Sequence, residues 1–410
     1  MRKKTYTIFI IIILLTSTLV SVSAKDVALR GMLRSYTGIT LSEAGLATNE
    51  QTLDLTLEGW GDMTRLVVNP YAYIGVDREP EIGLREAYVD VFLDQMDIRV
   101  GKQAVMWGQA EGAFITDIVS PRDMRSFILA DFREIRKGIP AVKADYYLGS
   151  YTFEGIWIPQ FVPASLPETD SIWQRDVPFP STATIHPPEI PEVNLENTEI
   201  FAKISYFGPK ISWELMGGYT WTDEPYVSSM TGGPPPTDIY QEYGRYAVAG
   251  GSFSTAIQSV VIRGETAAAI NKPFTVMGTA VTVEKHHQIQ TLIGLDWSLL
   301  GMEMSAQYLL SYVPDHTEGM MEQGYEVAPV DHTVTFRVQN TFFADRLTAK
   351  LFIYGELDPL NALIRPSLSW AVEDGVLFET GVELFVGDAE GTFGAYSDNS
   401  LAYVSLRWYF

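Results

Sequence analysis

The last ten residues, Leu401 to Phe410, restrict the fold of this chain more than any other stretch. Ala402, Val404, Leu406, Trp408 and Phe410 take alternate positions, with Ser405 and Arg407 between them and Tyr403 and Tyr409 at the flanks. A period of two is what a β-strand with one apolar and one polar face requires. The pattern recurs throughout. Leu53, Leu55 and Leu57 alternate with Asp54, Thr56 and Glu58; Ala87, Val89 and Val91 with Glu86, Tyr88 and Asp90; Val334, Phe336 and Val338 with Thr335, Arg337 and Gln339. In water each apolar stripe would need a second sheet to cover it. In lipid it needs none, and closing the sheet removes its unpaired edges.

Composition agrees. The chain is 46% hydrophobic and 12% aromatic, yet its mean hydropathy is only +0.04. A helical membrane protein is more apolar and a disordered acidic chain less so, whereas a membrane barrel falls between them. Beyond residue 24 no segment has the 18 or so uninterrupted apolar residues of a membrane helix. Residues 1–24 read as a cleaved export signal: basic Arg2, Lys3 and Lys4, an apolar run from Ile8 to Leu15, and the small-residue end Val22-Ser23-Ala24. Residues 25–410 then form one barrel. Removing three positive charges takes the formal charge from −22 to −25. That balance excludes nucleic acid as a partner, which requires a basic footprint. With no Cys there is no disulfide framework or thiolate metal site.

Turn chemistry orders the strands. Short connections at 61–62, 94–95, 149–150, 208–209, 256–257, 299–300, 344–345 and 374–375 alternate with longer ones near 39–50, 75–81, 108–139, 160–196, 223–239, 270–282, 314–330, 356–361 and 388–398. This predicts an all-β transmembrane antiparallel barrel of about 18 strands (16–18), with short periplasmic turns, long external loops and both termini on the short-turn side. Trp60, Trp107, Trp157, Trp221, Trp297, Trp370 and Trp408 sit near strand ends, where an indole favours the headgroup level. Trp107 is expected at the membrane rim.

The polar faces predict a lumen of nearly balanced charge, twelve basic against thirteen acidic residues, with Glu86, Asp90, Asp97 and Arg99 in one network. The connection 108–139 carries Asp117, Arg122, Asp123, Arg125, Asp131, Arg133, Glu134 and Arg136. Met124, Phe127, Ile128, Phe132 and Ile135 are spaced for a helix with one apolar face. These charged residues are the candidates for lining and constricting a pore. The Pro-rich connection 160–196 reads as an exposed, extended loop. The five His residues lie in loops or at strand ends. No catalytic constellation and no cofactor is expected, and a site from His316, His332 and Asp315 or Asp331 is a weak metal candidate.

Two resemblances add to this. The aromatic-terminated last strand resembles the signal by which outer-membrane barrels are recognised for insertion, implying that Phe410 and its strand meet the insertion machinery. The segment Glu86-Ala87-Tyr88-Val89-Asp90, Arg99-Val100-Gly101-Lys102-Gln103, Trp107-Gly108, Asp117 and Pro121-Arg122-Asp123 resembles a poorly characterised, porin-like class of bacterial outer-membrane barrels with a G-[RK]-Q…W-G…P-x-D segment. The resemblance implies membrane lipids and lipopolysaccharide as surroundings, small solutes as cargo and a homotrimer as one possible assembly. In general porins the third external loop folds inward, so 108–139 is by position a constriction. The function expected is passive diffusion of small solutes. Its alternatives are a specific channel for hydrophobic or aromatic compounds, with Phe114, Phe127 and Phe132 as a slide, and a non-conducting adhesin or scaffold.

Overall fold

The structure is a computed structural model describing residues 26–76, 78–108, 110, 112–129, 134–168, 171–174, 179–233, 235–322 and 324–410. Residues 1–24, expected to be an export signal, and the candidates Asp131 and Arg133, with Phe132, lie outside the described residues.

Eighteen strands form one closed antiparallel barrel. They are β1 (Asp26–Thr40), β2 (Leu46–Trp60), β3 (Thr64–Gly75), β4 (Glu81–Phe92), β5 (Met96–Gln103), β6 (Ile139–Leu148), β7 (Tyr151–Ile158), β8 (Glu199–Phe207) and β9 (Ile211–Trp221). There follow β10 (Arg245–Ile257), β11 (Val260–Met277), β12 (Val281–Leu299), β13 (Met302–Tyr312), β14 (Val330–Phe342), β15 (Leu347–Leu357), β16 (Leu360–Glu373), β17 (Val376–Gly387) and β18 (Leu401–Tyr409). Each pairs with its sequence neighbour. β18 returns to β1 from Met32↔Tyr409 to Thr40↔Leu401, so no edge is left open.

The outward face is the apolar stripe read from sequence: Leu29, Leu33, Leu57, Leu215, Ile293, Val404 and Leu406 are all exposed. Asp26, Phe410 and the eight tight turns share one rim. At the far rim the parity is as expected but the lengths are not. The connections expected at 270–282 and 356–361 shrink to 278–280 and 358–359, and that at 39–50 to 41–45, because the strands continue past the turn residues. β11 and β12 run for 18 and 19 residues. Beyond the wall, Thr275 Oγ1 donates to the Val227 carbonyl at 2.8 Å. Val227 belongs to the short loop strand Tyr226–Thr231, which forms a separate small sheet with Thr184–His186 and Asp238–Glu242.

A bulge interrupts the alternation where it matters. Pro70 of β3 has no N–H to offer, and pairing slips from Asn69↔Glu86 to Pro70↔Leu84. Arg85 is the extra residue and turns to the lumen beside Glu86, although period two alone assigns it to lipid. It bonds Asp54 of β2 at 2.6 and 3.1 Å.

The inner wall is less polar than the alternation predicts. Phe201, Met216 and Val248 on β8–β10, Leu292 and Leu309 on β12 and β13, and Leu363, Phe385 and Leu401 on β16–β18 are all buried and inward. Residues of the connections 104–138, 159–198 and 388–400 cover them.

Candidate functional site: a lumen crossed by inward connections

β5 and β6 are short, ending at Gln103 and starting at Ile139, which pair with each other. The connection 104–138 therefore leaves the wall low in the barrel, and its described residues touch widely separated parts of the inner surface. Val105, Trp107 and Val119 pack on Ile156, Phe201, Met216 and Val248. Ala113 and Ile115 pack on Ala267, Leu292 and Leu309. Phe127 packs on Phe385, with ring centroids 5.9 Å apart, and on Tyr396 at 4.8 Å. Thr116 Oγ1 donates to Glu265 of β11 at 2.8 Å. Gly108 (φ +81°) allows this approach, since a Cβ there would stand 2.5 Å from Thr116 Oγ1 and 3.0 Å from Glu265.

Several expectations are corrected here. Trp107 is not at a membrane rim: it is 2% exposed, edge-on to Phe201 at 5.9 Å, with its indole N–H donating to Glu154. The helix expected from Met124 to Ile135 is reduced, among the described residues, to one 3₁₀ turn at Phe127–Leu129. The segment is held instead by bridges Arg122↔Arg136 and Asp123↔Ser165. Ser165 belongs to the Pro-rich connection, whose first part also turns inward. Trp173 is buried against Phe127 and Tyr396, and Tyr396 Oη donates to the Trp173 carbonyl at 3.2 Å.

The candidate charged residues fall into three groups. On the wall nearest the terminal rim, Arg99 forks onto Asp90 at 2.6 and 3.2 Å and stacks on Tyr88. Asp97 is apart from them and accepts from Tyr147 at 2.7 Å. Glu86 accepts the Ala104 N–H at 2.9 Å, where the connection departs. In a second group Asp117 accepts from Arg136 Nε at 2.6 Å and from the Trp107 N–H at 3.1 Å. The guanidinium groups of Arg136 and Arg122 stack on Phe114 at 5.4 and 5.2 Å.

The third group joins the connection to the β1–β4 wall. Asp123 binds Arg125 at 2.9 and 3.1 Å, and Arg125 reaches Glu81 at 2.8 Å. Glu134 meets Arg34 at 3.0 Å and Arg85 at 3.7 Å. Arg34, Arg85, Asp123, Arg125 and Glu134 line a cleft of 90 Å³ with the β16–β17 pair Arg365–Glu383 at 2.6 Å, and Glu81 holds Arg125 from outside it. Sequence reasoning missed Arg85 and Glu81; Pro70 inside an alternating strand was the available signal. Replacing Glu134→Gln leaves Arg34 and Arg85 with one carboxylate fewer, so the reversal potential in a salt gradient is expected to move toward anion preference. An unchanged potential would place the ion path elsewhere.

Nearer the far rim a cavity of 350 Å³ lies between the connections 104–138 and 159–198, those that follow β9 and β13, and the strands β10 and β11. Phe127, Trp173, Tyr226, Tyr246, Phe274 and Tyr325 line it, with Arg122, Asp223, Glu224, Lys272 and Glu322 among them. Trp173 and the chain at Met124–Phe127 stand between this cavity and the arginine cleft. Asp223 and Glu224 lie just past the end of β9. Burial pushes both carboxyls up to about 7. Among the described residues no three of His, Cys, Asp and Glu converge as a metal site. His316 and His332 are engaged with the Val327 carbonyl and the Tyr308 hydroxyl instead.

A closed antiparallel barrel of 18 strands with an inward third connection resembles the outer-membrane channels. The model of the DUF1302 family, described as a protein of unknown function, matches residues 72–371, and the chain belongs to that family. No curated protein matches the sequence. Among solved structures the chain is similar to OccAB3 of Acinetobacter baumannii, with 10% identity over 94% of this chain and 99% of that one and a TM-score of 0.53. It is also similar to Pseudomonas aeruginosa OccK2 (OpdF) in complex with glucuronate, at 10% identity, 94% and 98% coverage and a TM-score of 0.51. OccK8 (OprE) of the same organism gives 9%, 94%, 98% and 0.51. At these identities the likeness is one of fold.

Proposed function

We propose that the chain is a bacterial outer-membrane channel that admits small aromatic or apolar molecules selectively, in preference to an open, water-filled diffusion pore. The observation that carries this reading is the 350 Å³ cavity near the far rim, lined by the rings of Phe127, Trp173, Tyr226, Tyr246, Phe274 and Tyr325. Its size lies within the range of about 300–1,000 Å³ that encloses a small ligand. The apolar inner wall supports the same reading, because an open porin lumen is polar. In this proposal residues 1–24 direct export, the outward stripe meets lipid and lipopolysaccharide, and the strand ending at Phe410 engages the insertion machinery. The connection 104–138 is the constriction. No chemistry is performed on the solute.

Liposome swelling tests the proposal. Proteoliposomes are expected to admit 2-phenylethanol faster than a sugar of similar mass. Equal or faster entry of the sugar would return the chain to passive diffusion. No entry of any solute, with no conductance in a planar bilayer, would leave the scaffold reading.

A further inference from the structure

A barrel wall that faces lipid all round carries aromatic girdles all round, because amphipathic rings favour the headgroup level. Here the girdle has a gap. Tyr146, Phe153, Trp157, Tyr219, Phe253 and Tyr308 stand exposed on the outer faces of β6, β7, β9, β10 and β13. Among the described residues, β1 to β5 contribute no ring to that face. Tyr36 and Tyr71 line the arginine cleft, and Tyr73 and Tyr88 are buried inward. Trp60 and Phe92 stack together on the lumen side, where Arg65 covers Trp60 and bonds the Tyr88 hydroxyl.

The same sector is polar where lipid would want it apolar. Arg34, Tyr36 and Glu50 face the lumen, so alternation puts Ser35, Thr37, Asn49 and Gln51 on the outer face. Gln51 Nε2 donates to Ser35 Oγ at 2.9 Å and to Asn49 Oδ1 at 3.5 Å. Two amides carry more donors and acceptors than these two bonds occupy, and hydrocarbon offers nothing for the rest. The patch does not stand above the lipid-facing stripe. Gln51 pairs with Ile74, Thr37 with Val404 and Ser35 with Leu406, all of them exposed apolar residues.

We propose that the outer face of β1–β5, centred on Asn49 and Gln51, is an interface with a second copy of this chain. Uncharged amides and hydroxyls both donate and accept, so the same patch on another copy completes their bonds. The outer positions of β1–β3 hold no charged residue. That disfavours the phosphates of lipopolysaccharide as the occupant, since those call for Lys or Arg. The face is also large enough. Strands about 4.8 Å apart across a band about 25 Å tall give these five strands roughly 600 Å² per copy. Two copies then bury about 1,200 Å², above the ~1,000 Å² of a specific interface. With protein instead of lipid against this sector, no girdle is needed there.

The chain has no Cys, so a single introduced thiol reports on one place. Leu55→Cys, on the outer face of β2, is expected to join two copies through a bifunctional maleimide in outer membranes holding the full chain. Ile293→Cys, on β12 at the far side of the barrel, is not. In mild detergent the unaltered chain should show a multiple of its single-chain mass by light scattering. Gln51→Trp supplies a girdle ring and removes the amide, and should shift that mass to one chain while the heat-modifiable folded band persists. Should Gln51→Trp fail to fold, the cross-linking pair decides. Equal cross-linking from both positions, or a product joining Leu55→Cys to a different protein, overturns the proposal. So does a single-chain mass carrying only lipopolysaccharide, with no cross-link.

Discussion

Deleting residues 112–134 is expected to raise single-channel conductance severalfold in a planar bilayer. The strand ends on either side, Gln103 and Ile139, are paired neighbours, so the residues left on either side close the gap without straining the barrel. The deletion removes Ile115, Val119, Phe127 and the Arg125 and Glu134 contacts from the lumen and uncovers the inner wall at Ala267, Leu292 and Leu309. Passage would then be limited by the wall. Unchanged conductance in a folded deletion variant would mean that ions travel by a route this connection does not narrow.

The second large effect concerns closure. Gly31 of β1 and Phe410 exchange both backbone hydrogen bonds, at 2.8 and 3.0 Å. A Cβ at Gly31 would fall 2.2 Å from the Phe410 ring, which packs against Trp408 with centroids 5.0 Å apart. The absent side chain is therefore the seat of the terminal ring. Gly31→Leu is expected to cost about 1–3 kcal/mol through overpacking at the seam, seen as a lower urea midpoint and loss of the heat-modifiable folded band. Adding Phe410→Ala should recover much of the loss, because the clash needs both partners. A Gly31→Leu protein as stable as the parent would show that the ring sits elsewhere.

The barrel was legible because lipid and a covered lumen demand opposite chemistry from neighbouring residues. Leu29, Leu33, Val404 and Leu406 declare the outer face without reference to any partner. Strand parity followed from turn residues such as Gly149-Ser150 and Asp374-Gly375. Strand ends at the far rim were less legible: nothing local at Asn271 or Pro359 announces whether a hairpin stops or continues. Asn271 takes a left-handed φ of 57° inside β11 while the strand resumes at Lys272.

The interior was harder to read for a different reason. Where a connection covers the inner wall, both faces of a strand are buried or lipid-facing, so alternation disappears, as in sheets buried on both sides. Leu292-Ile293 and Leu309-Leu310 are such places. Helical spacing from Met124 to Ile135 misled because its apolar residues are divided among different walls rather than gathered on one face. Phe127 reaches Phe385, while Ile135 is buried away from that cluster. Phe127 itself has φ 53°, incompatible with a continuous helix. Asp223 and Glu224 looked like ordinary loop charges. Only the meeting of several connections with β10 and β11 forms the cavity they line.

The apolar seating of 104–138 also sets its tempo. Trp107, Ile115 and Val119 are each at most 4% exposed, and returning a large apolar side chain to water costs about 1.5–3 kcal/mol. Swinging the connection aside would expose several at once and break the Thr116–Glu265 and Glu134–Arg34 contacts. The described residues so seated belong to the rigid end of the molecule's motions and do not flutter like a surface loop. In the channel proposed above, passage would depend on side chains turning around a fixed obstacle, on the fast timescale of rotamer exchange.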